Sequence, residues 1–246
     1  MIRRNARPEP TRLRFGDRWL LRGCASRGID GLWIGGFSRY SDDAEPGLRR
    51  VEQALDLIKS YDPVRYRRLL HDVKRVWVGM TFSGYAEYEH SLLACKLDER
   101  VVLDDTISNE QIAAAIVHEA THARLTNCGI GYEEPIRHRV EAVCLRQEIA
   151  FAKRLPEGGA IQEAALYSLS FCSDAGHWTN AAMTERRVAA AHETLLYLGT
   201  PAAVVRVIIA AVRWRIAALD LLRRRRRRID HSRSMRRITA SSCSGP

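Results

Sequence analysis

The run His118-Glu119-Ala120-Thr121-His122 constrains this chain more than any other stretch. Side chains four residues apart share one face of a helix, so two imidazoles at this spacing reach one metal ion when the run is helical. Glu119 then lies about 100° round the axis from His118. There a carboxylate can take a proton from a water held by the metal. Any fold for this chain must therefore place a helix carrying polar groups where other elements can close over it.

The neighbouring sequence supplies such a helix. Ser108 followed by Gln111 fits a capping box. Ile112, Ala115, Ile116 and Ala120 form a buried side, and the helix is expected to run to about Thr126. Cys128 to Tyr132 read as a loop. Pro135 suits the first turn of a second helix that continues to about Leu155, before Pro156.

Zinc takes imidazole nitrogen and carboxylate oxygen, and its catalytic sites use three protein ligands with a fourth position left for water. The third ligand must come from outside the motif. Glu141, nineteen residues after His122, can face the histidines if the second helix folds back along the first. Glu148 lies on the same stripe with Cys144 and Phe151, and is a further candidate. Cys128, ten residues after His118, is the alternative third ligand, although a free buried thiol is the plainer reading of both Cys128 and Cys144.

Upstream, residues 47–60 and 63–72 read as helices, the second opened by Pro63. The pattern then changes to period two. Val76-Trp77-Val78 and Ser91–Leu97 read as strands, with Val101-Val102-Leu103 returning as the partner of the latter after a turn at Asp98–Arg100. Residues 11–46 are rich in glycine and aromatics. They predict short strands or irregular structure anchored by Trp19 and Trp33. Downstream, helices are expected over 160–173, 181–198 and 201–222. The expected class is α+β, mainly helical, with a small antiparallel or mixed sheet packed on the motif helix.

Charge divides the chain into regions. Nine arginines and one aspartate fall in residues 223–246, and seven arginines and two acids in residues 1–22. The net charge of +10 therefore sits at the ends, and the body is slightly acidic. That distribution argues against a body built around a nucleic-acid groove. The expected organisation is a disordered basic arm at 1–10, a domain at 11–200, an apolar and basic helix at 201–228, and a disordered tail at 229–246. Three readings stay open for 201–228: a helix packed on the domain, a helix on a membrane surface, or a nucleic-acid tail. Arg206, Arg213, Arg215 and Asp220 make a membrane-spanning helix costly. Six cysteines without a C-x-x-C pair, behind a start lacking an apolar signal core, predict free thiols and a cytoplasmic setting.

H-E-A-T-H followed by Glu141 in a second helix resembles the gluzincin branch of the zincin metallopeptidases, over residues 74–155. The resemblance implies one zinc held by His118, His122 and Glu141, with Glu119 as general base in peptide hydrolysis. It implies an edge strand, here 91–97, that binds a peptide substrate in extended form. It also implies a Tyr or His that stabilises the oxyanion, for which Tyr132 and His177 are the candidates. Metzincins place their third ligand at the position of Cys128, but this chain has Leu125 where their turn glycine stands. Two other classes are carried forward. One is a zinc-fold binding protein without turnover. The other is a basic-tailed helical protein that associates with membrane or nucleic acid, its H-E-x-x-H accidental.

Overall fold

Alternating apolar residues around Val76 and Cys95, each followed or preceded by helical periodicity, build a sheet with helices against it. The computed structural model describes residues 24–36, 44–81 and 84–219. The basic arm, Trp19, the run Arg223–Arg228 and the tail at 229–246 lie outside the described residues. Five strands, β1 (Ala25–Ile29), β2 (Leu32–Gly36), β3 (Arg75–Gly79), β4 (Ala86–Glu89) and β5 (Ala94–Asp98), form one sheet in the order β1-β2-β3-β5-β4. β2, β3 and β5 run parallel, and the outer pairs β1/β2 and β4/β5 are antiparallel. The helices are α1 (Glu45–Tyr61), α2 (Pro63–Asp72), the short α3 (Glu99–Val102), α4 (Asn109–Asn127), α5 (Glu134–Ala152), α6 (Gly159–Ser170), α7 (Asn180–Tyr197) and α8 (residues 202–219). This is the mainly helical α+β class with a small mixed sheet.

Local chemistry accounts for most of the boundaries. In α1, Leu48, Val51, Leu55 and Ile58 recur at helical spacing and are buried. Asp62 caps α2, its carboxylate accepting from the Arg65 amide at 3.1 Å, with Pro63 in the first turn. β1 and β2 are joined at Asp30-Gly31, both with positive φ (49° and 84°), the backbone that a two-residue hairpin turn needs. Trp33 stacks on Trp77 across the parallel β2/β3 pair, ring centroids 5.8 Å apart. The main core brings Leu32, Ile34, Val76 and Leu97 of the sheet against Val51, Leu55, Ile112 and Ile116 of the helices.

Two strand expectations are corrected. Ser91-Leu92-Leu93 is a turn, with Leu93 at φ 49°, and the strand begins only at Ala94. Val101-Val102-Leu103 does not return as a strand, because α3 starts at Glu99 instead. The cause is Asp98, which is buried and caps α3. Its carboxylate accepts from the Arg100 amide (2.9 Å), the Arg100 guanidinium (2.8 and 2.7 Å) and the Thr81 hydroxyl (2.8 Å). A cap with this many donors overrides the strand preference of two valines. The antiparallel partner of β5 is the upstream segment Ala86–Glu89. Its side chains are all half-buried, so it carries no clean two-sided alternation. β5 therefore lies inside the sheet, and the edge strand is β4 rather than residues 91–97.

Burial works to raise the pKa of Asp98, but its donors prevail and hold it below the usual carboxylate range. Its stabilising contribution is present in full above the unfolded-state pKa of about 4 and is lost as pH falls through the lower folded value. Asp98→Ala is expected to cost about 3 kcal/mol at neutral pH, because it strands buried donors. Urea unfolding of the two proteins checks this, and the gap should narrow below about pH 4. An unchanged gap at low pH would remove the charged carboxylate as its cause.

The chain divides into two units between Ala191 and His192, with α7 running across the division. No helix of the described residues is long and apolar enough to cross a membrane.

Candidate metal centre

α4 carries the motif, and both of its ends are set by local sequence. The Ser108 hydroxyl accepts from the Gln111 amide (3.2 Å) and the Gln111 side chain accepts from the Ser108 amide (2.7 Å), completing the capping box. At the other end Gly129 adopts φ 77°, and the Ile130 amide donates back to the Leu125 carbonyl at 2.9 Å. This left-handed closure turns the chain out of the helix, and only glycine enters it without strain. After a short loop, α5 runs back along α4.

That return brings Glu141 to the histidines. Its Oε2 lies 3.4 Å from His118 Nε2, and its Oε1 lies 3.5 Å from His122 Nε2. The two imidazole centroids are 5.1 Å apart. Two turns further along α5, the Glu148 carboxylate is 3.0 Å from His118 Nδ1. Glu148 thus holds the far nitrogen of His118 and leaves Nε2 to face Glu141. The Tyr132 hydroxyl donates to Glu141 Oε1, and the Tyr132 ring stands edge-on to His122 with centroids 5.4 Å apart.

Glu119 is 7% exposed, on the sheet side of the cluster. The backbone amide of Tyr88 in edge strand β4 points to its carboxylate. The outer edge of the sheet therefore abuts the one acid of the motif that is not aimed at Glu141.

The electrostatics follow from burial among three acids. Burial pushes the Glu119 carboxyl up to about 7, against the favourable charge of His118. Burial also disfavours charge on His118, but hydrogen bonds to Glu141 and Glu148 outweigh it and raise the imidazole well above its ordinary value. His122 is lowered, mainly by burial. Burial would raise Glu141, yet the hydrogen bond with His118 and the nearby His122 hold it below the usual range. The net result is a proton on His118 between two carboxylates, positive charge at the place where a cation would be bound.

Cys144 is the residue that sequence reasoning underweighted. One ligand atom from each of His118, His122 and Cys144 lies within 4.8 Å of the others. Its signal was the stripe Glu141, Cys144, Glu148 at spacings of three and four, which puts the thiol among the carboxylates. Burial, and then the charges of Glu141, Glu119 and Glu148, push this thiol far up, so it is a neutral S–H. Cys128 is not in the cluster, nor is it the buried thiol expected; it is an exposed residue at the C-terminal cap of α4. His177 lies in a 3-10 turn (Ala175–Trp178), stacked on Phe171 at 5.3 Å with the Arg186 guanidinium 3.1 Å from its Nε2. Its ring also meets Trp178, with centroids 4.9 Å apart, and its amide donates to the Asp174 carbonyl at 3.2 Å, so none of these partners is the histidine pair.

No protein-family model, curated protein or solved structure matches this chain, and the chemistry of the site rests on its own residues.

Proposed function

We propose that this chain is a zinc-dependent hydrolase, a metallopeptidase, with His118, His122 and Glu141 as the metal ligands and Glu119 as general base. The observation that carries this reading is the placing of one carboxylate between two Nε2 atoms. Bonds of about 2.0–2.2 Å at tetrahedral angles put neighbouring zinc ligands about 3.3 Å apart. Each Glu141 oxygen faces one histidine at a similar spacing, Oε2 at 3.4 Å from His118 Nε2 and Oε1 at 3.5 Å from His122 Nε2. The donor chemistry, two imidazoles and a carboxylate, suits zinc. Glu148 on His118 Nδ1 supplies the outer carboxylate that orients a ligating imidazole.

When bound in such a site, zinc acts as a Lewis acid and lowers the pKa of water toward about 7. The protein's own groups do the rest. Glu119, buried beside His118 and under the Tyr88 amide, is the carboxylate placed to accept a proton from water and return it to a leaving amine. Tyr132 is the hydroxyl donor at the cluster, positioned to donate to a developing oxyanion when it leaves Glu141. β4, whose Tyr88 amide reaches Glu119, is the strand against which an extended peptide would pair. This reading moves the substrate strand from residues 91–97 to 86–89.

The Cys144 thiol favours a second reading. His118, His122 and Cys144, whose ligand atoms lie within 4.8 Å of one another, would together with Glu141 fill all four positions and make a closed structural site without turnover. Zinc titration separates the two. The expected result is about one zinc per chain, an affinity lost in Glu141→Ala and kept in Cys144→Ser. Loss of zinc in Cys144→Ser would establish the closed site. A wild-type chain that takes up no zinc would overturn both readings.

A further inference from the structure

Six of the exposed large apolar side chains fall in one helix, α8: Val204, Val207, Ile208, Val212, Trp214 and Leu219. Trp214 is 75% and Val207 69% exposed. At about 100° per residue these six fall within one arc of about 160°. Arg206 and Arg213 lie on the opposite side. Val205, Ile209 and Ile216, at one flank of the arc, are buried or half-buried, while the arc itself is bare. A helix packed on its own domain covers its apolar face, so a bare arc of this size calls for a partner. In the sequence six consecutive arginines, Arg223–Arg228, follow this helix.

We propose that residues 201–228 bind an anionic membrane surface. The Val207–Trp214 arc lies in the boundary between headgroups and acyl chains, and the arginines lie on acidic headgroups. Three arginines within α8 make crossing a bilayer costly, and no helix of the described residues is long and apolar enough to cross one, so α8 lies in the interface plane. Arg215, inside the apolar arc, reaches water along its aliphatic stem. Charge decides among occupants. A nucleic acid would neutralise the arginines but leave the apolar arc in water. A second copy could cover the arc, but parallel pairing would bring two six-arginine runs together. An anionic bilayer satisfies both features at once. The proposal does not depend on the metal centre.

The test is co-sedimentation of the full chain with phosphatidylcholine vesicles, with and without about one-third phosphatidylserine, at physiological salt. Trp214 emission is read against a Trp214→Phe control. The expected result is binding to the acidic vesicles only, with a blue shift that Trp214→Phe removes. Val207→Asn with Val212→Asn should weaken partitioning about tenfold or more. Replacing Arg223–Arg228 by glutamine should weaken it about a hundredfold or more. Both valines are exposed, so circular dichroism and zinc content should stay at wild-type values. No binding to acidic vesicles would overturn the proposal. So would binding that the valine pair does not affect, which marks a polyanion tail. A dimer in light scattering that the same two substitutions dissociate would assign the arc to a second copy.

Discussion

Glu119→Gln is expected to keep its zinc and lose peptide hydrolysis by about a thousandfold, the usual weight of a positioned general base. The substitution is close to isosteric. The amide oxygen can still accept from the Tyr88 backbone, and the side chain remains under β4. What disappears is the proton acceptor. The metal ligands lie on other residues, so metal content should not change. Two measurements on the same preparation check this: zinc per chain by elemental analysis, and turnover of a broad library of quenched peptides. A variant as active as the wild type would remove Glu119 from the chemistry. A variant that loses its zinc would mean that Glu119 supports the metal rather than the proton transfer.

Zinc removal should have the largest effect on stability. At a zinc concentration a thousandfold above Kd, binding to the folded state alone contributes about 4 kcal/mol. For a chain of this size that corresponds to a rise in Tm of about 10 °C. The cause lies in the buried acids. Glu119 and Glu141 are both buried near Glu148, with the protonated His118 beside them. A dication neutralises this cluster more completely than a proton on His118 does. Thermal unfolding in chelator and in excess zinc measures the difference. The His118→Ala/His122→Ala double variant should show no zinc-dependent shift. A shift that persists in it would place the stabilising zinc elsewhere on the chain.

What could be read from the chain was the part set by neighbours in sequence. The Ser108/Gln111 capping box, the Asp62-Pro63 start of α2 and the apolar stripe of α1 involve groups a few residues apart. Each of those elements came out where its pattern indicated. The strands around β5 did not. Val101-Val102-Leu103 has strand composition, but the donors gathered on Asp98 include Thr81, seventeen residues away. The sequence pattern carries no mark of that contact. Likewise Ala86–Glu89 has no buried face, and only pairing with β5 makes it a strand. The edge of the sheet was therefore misplaced, and with it the strand that abuts Glu119.

The candidate site divides along the same line. The spacing of His118, Glu119 and His122 within one helix puts two imidazoles on one face, because helical geometry is local. Glu141 follows from the same periodicity only once α5 is known to fold back along α4. Which of Glu141, Cys144, Glu148 and Cys128 approaches the histidines depends on the turn at Gly129 and on how the two helices are rotated against each other. Packing across the interface sets that rotation, and no spacing within either helix encodes it. The sequence by itself determined the helix, its caps and its pair of imidazoles. Tertiary structure alone decided that Glu141 stands between the imidazoles, that Glu148 holds His118 from behind, and that the exposed Cys128 stays outside the cluster.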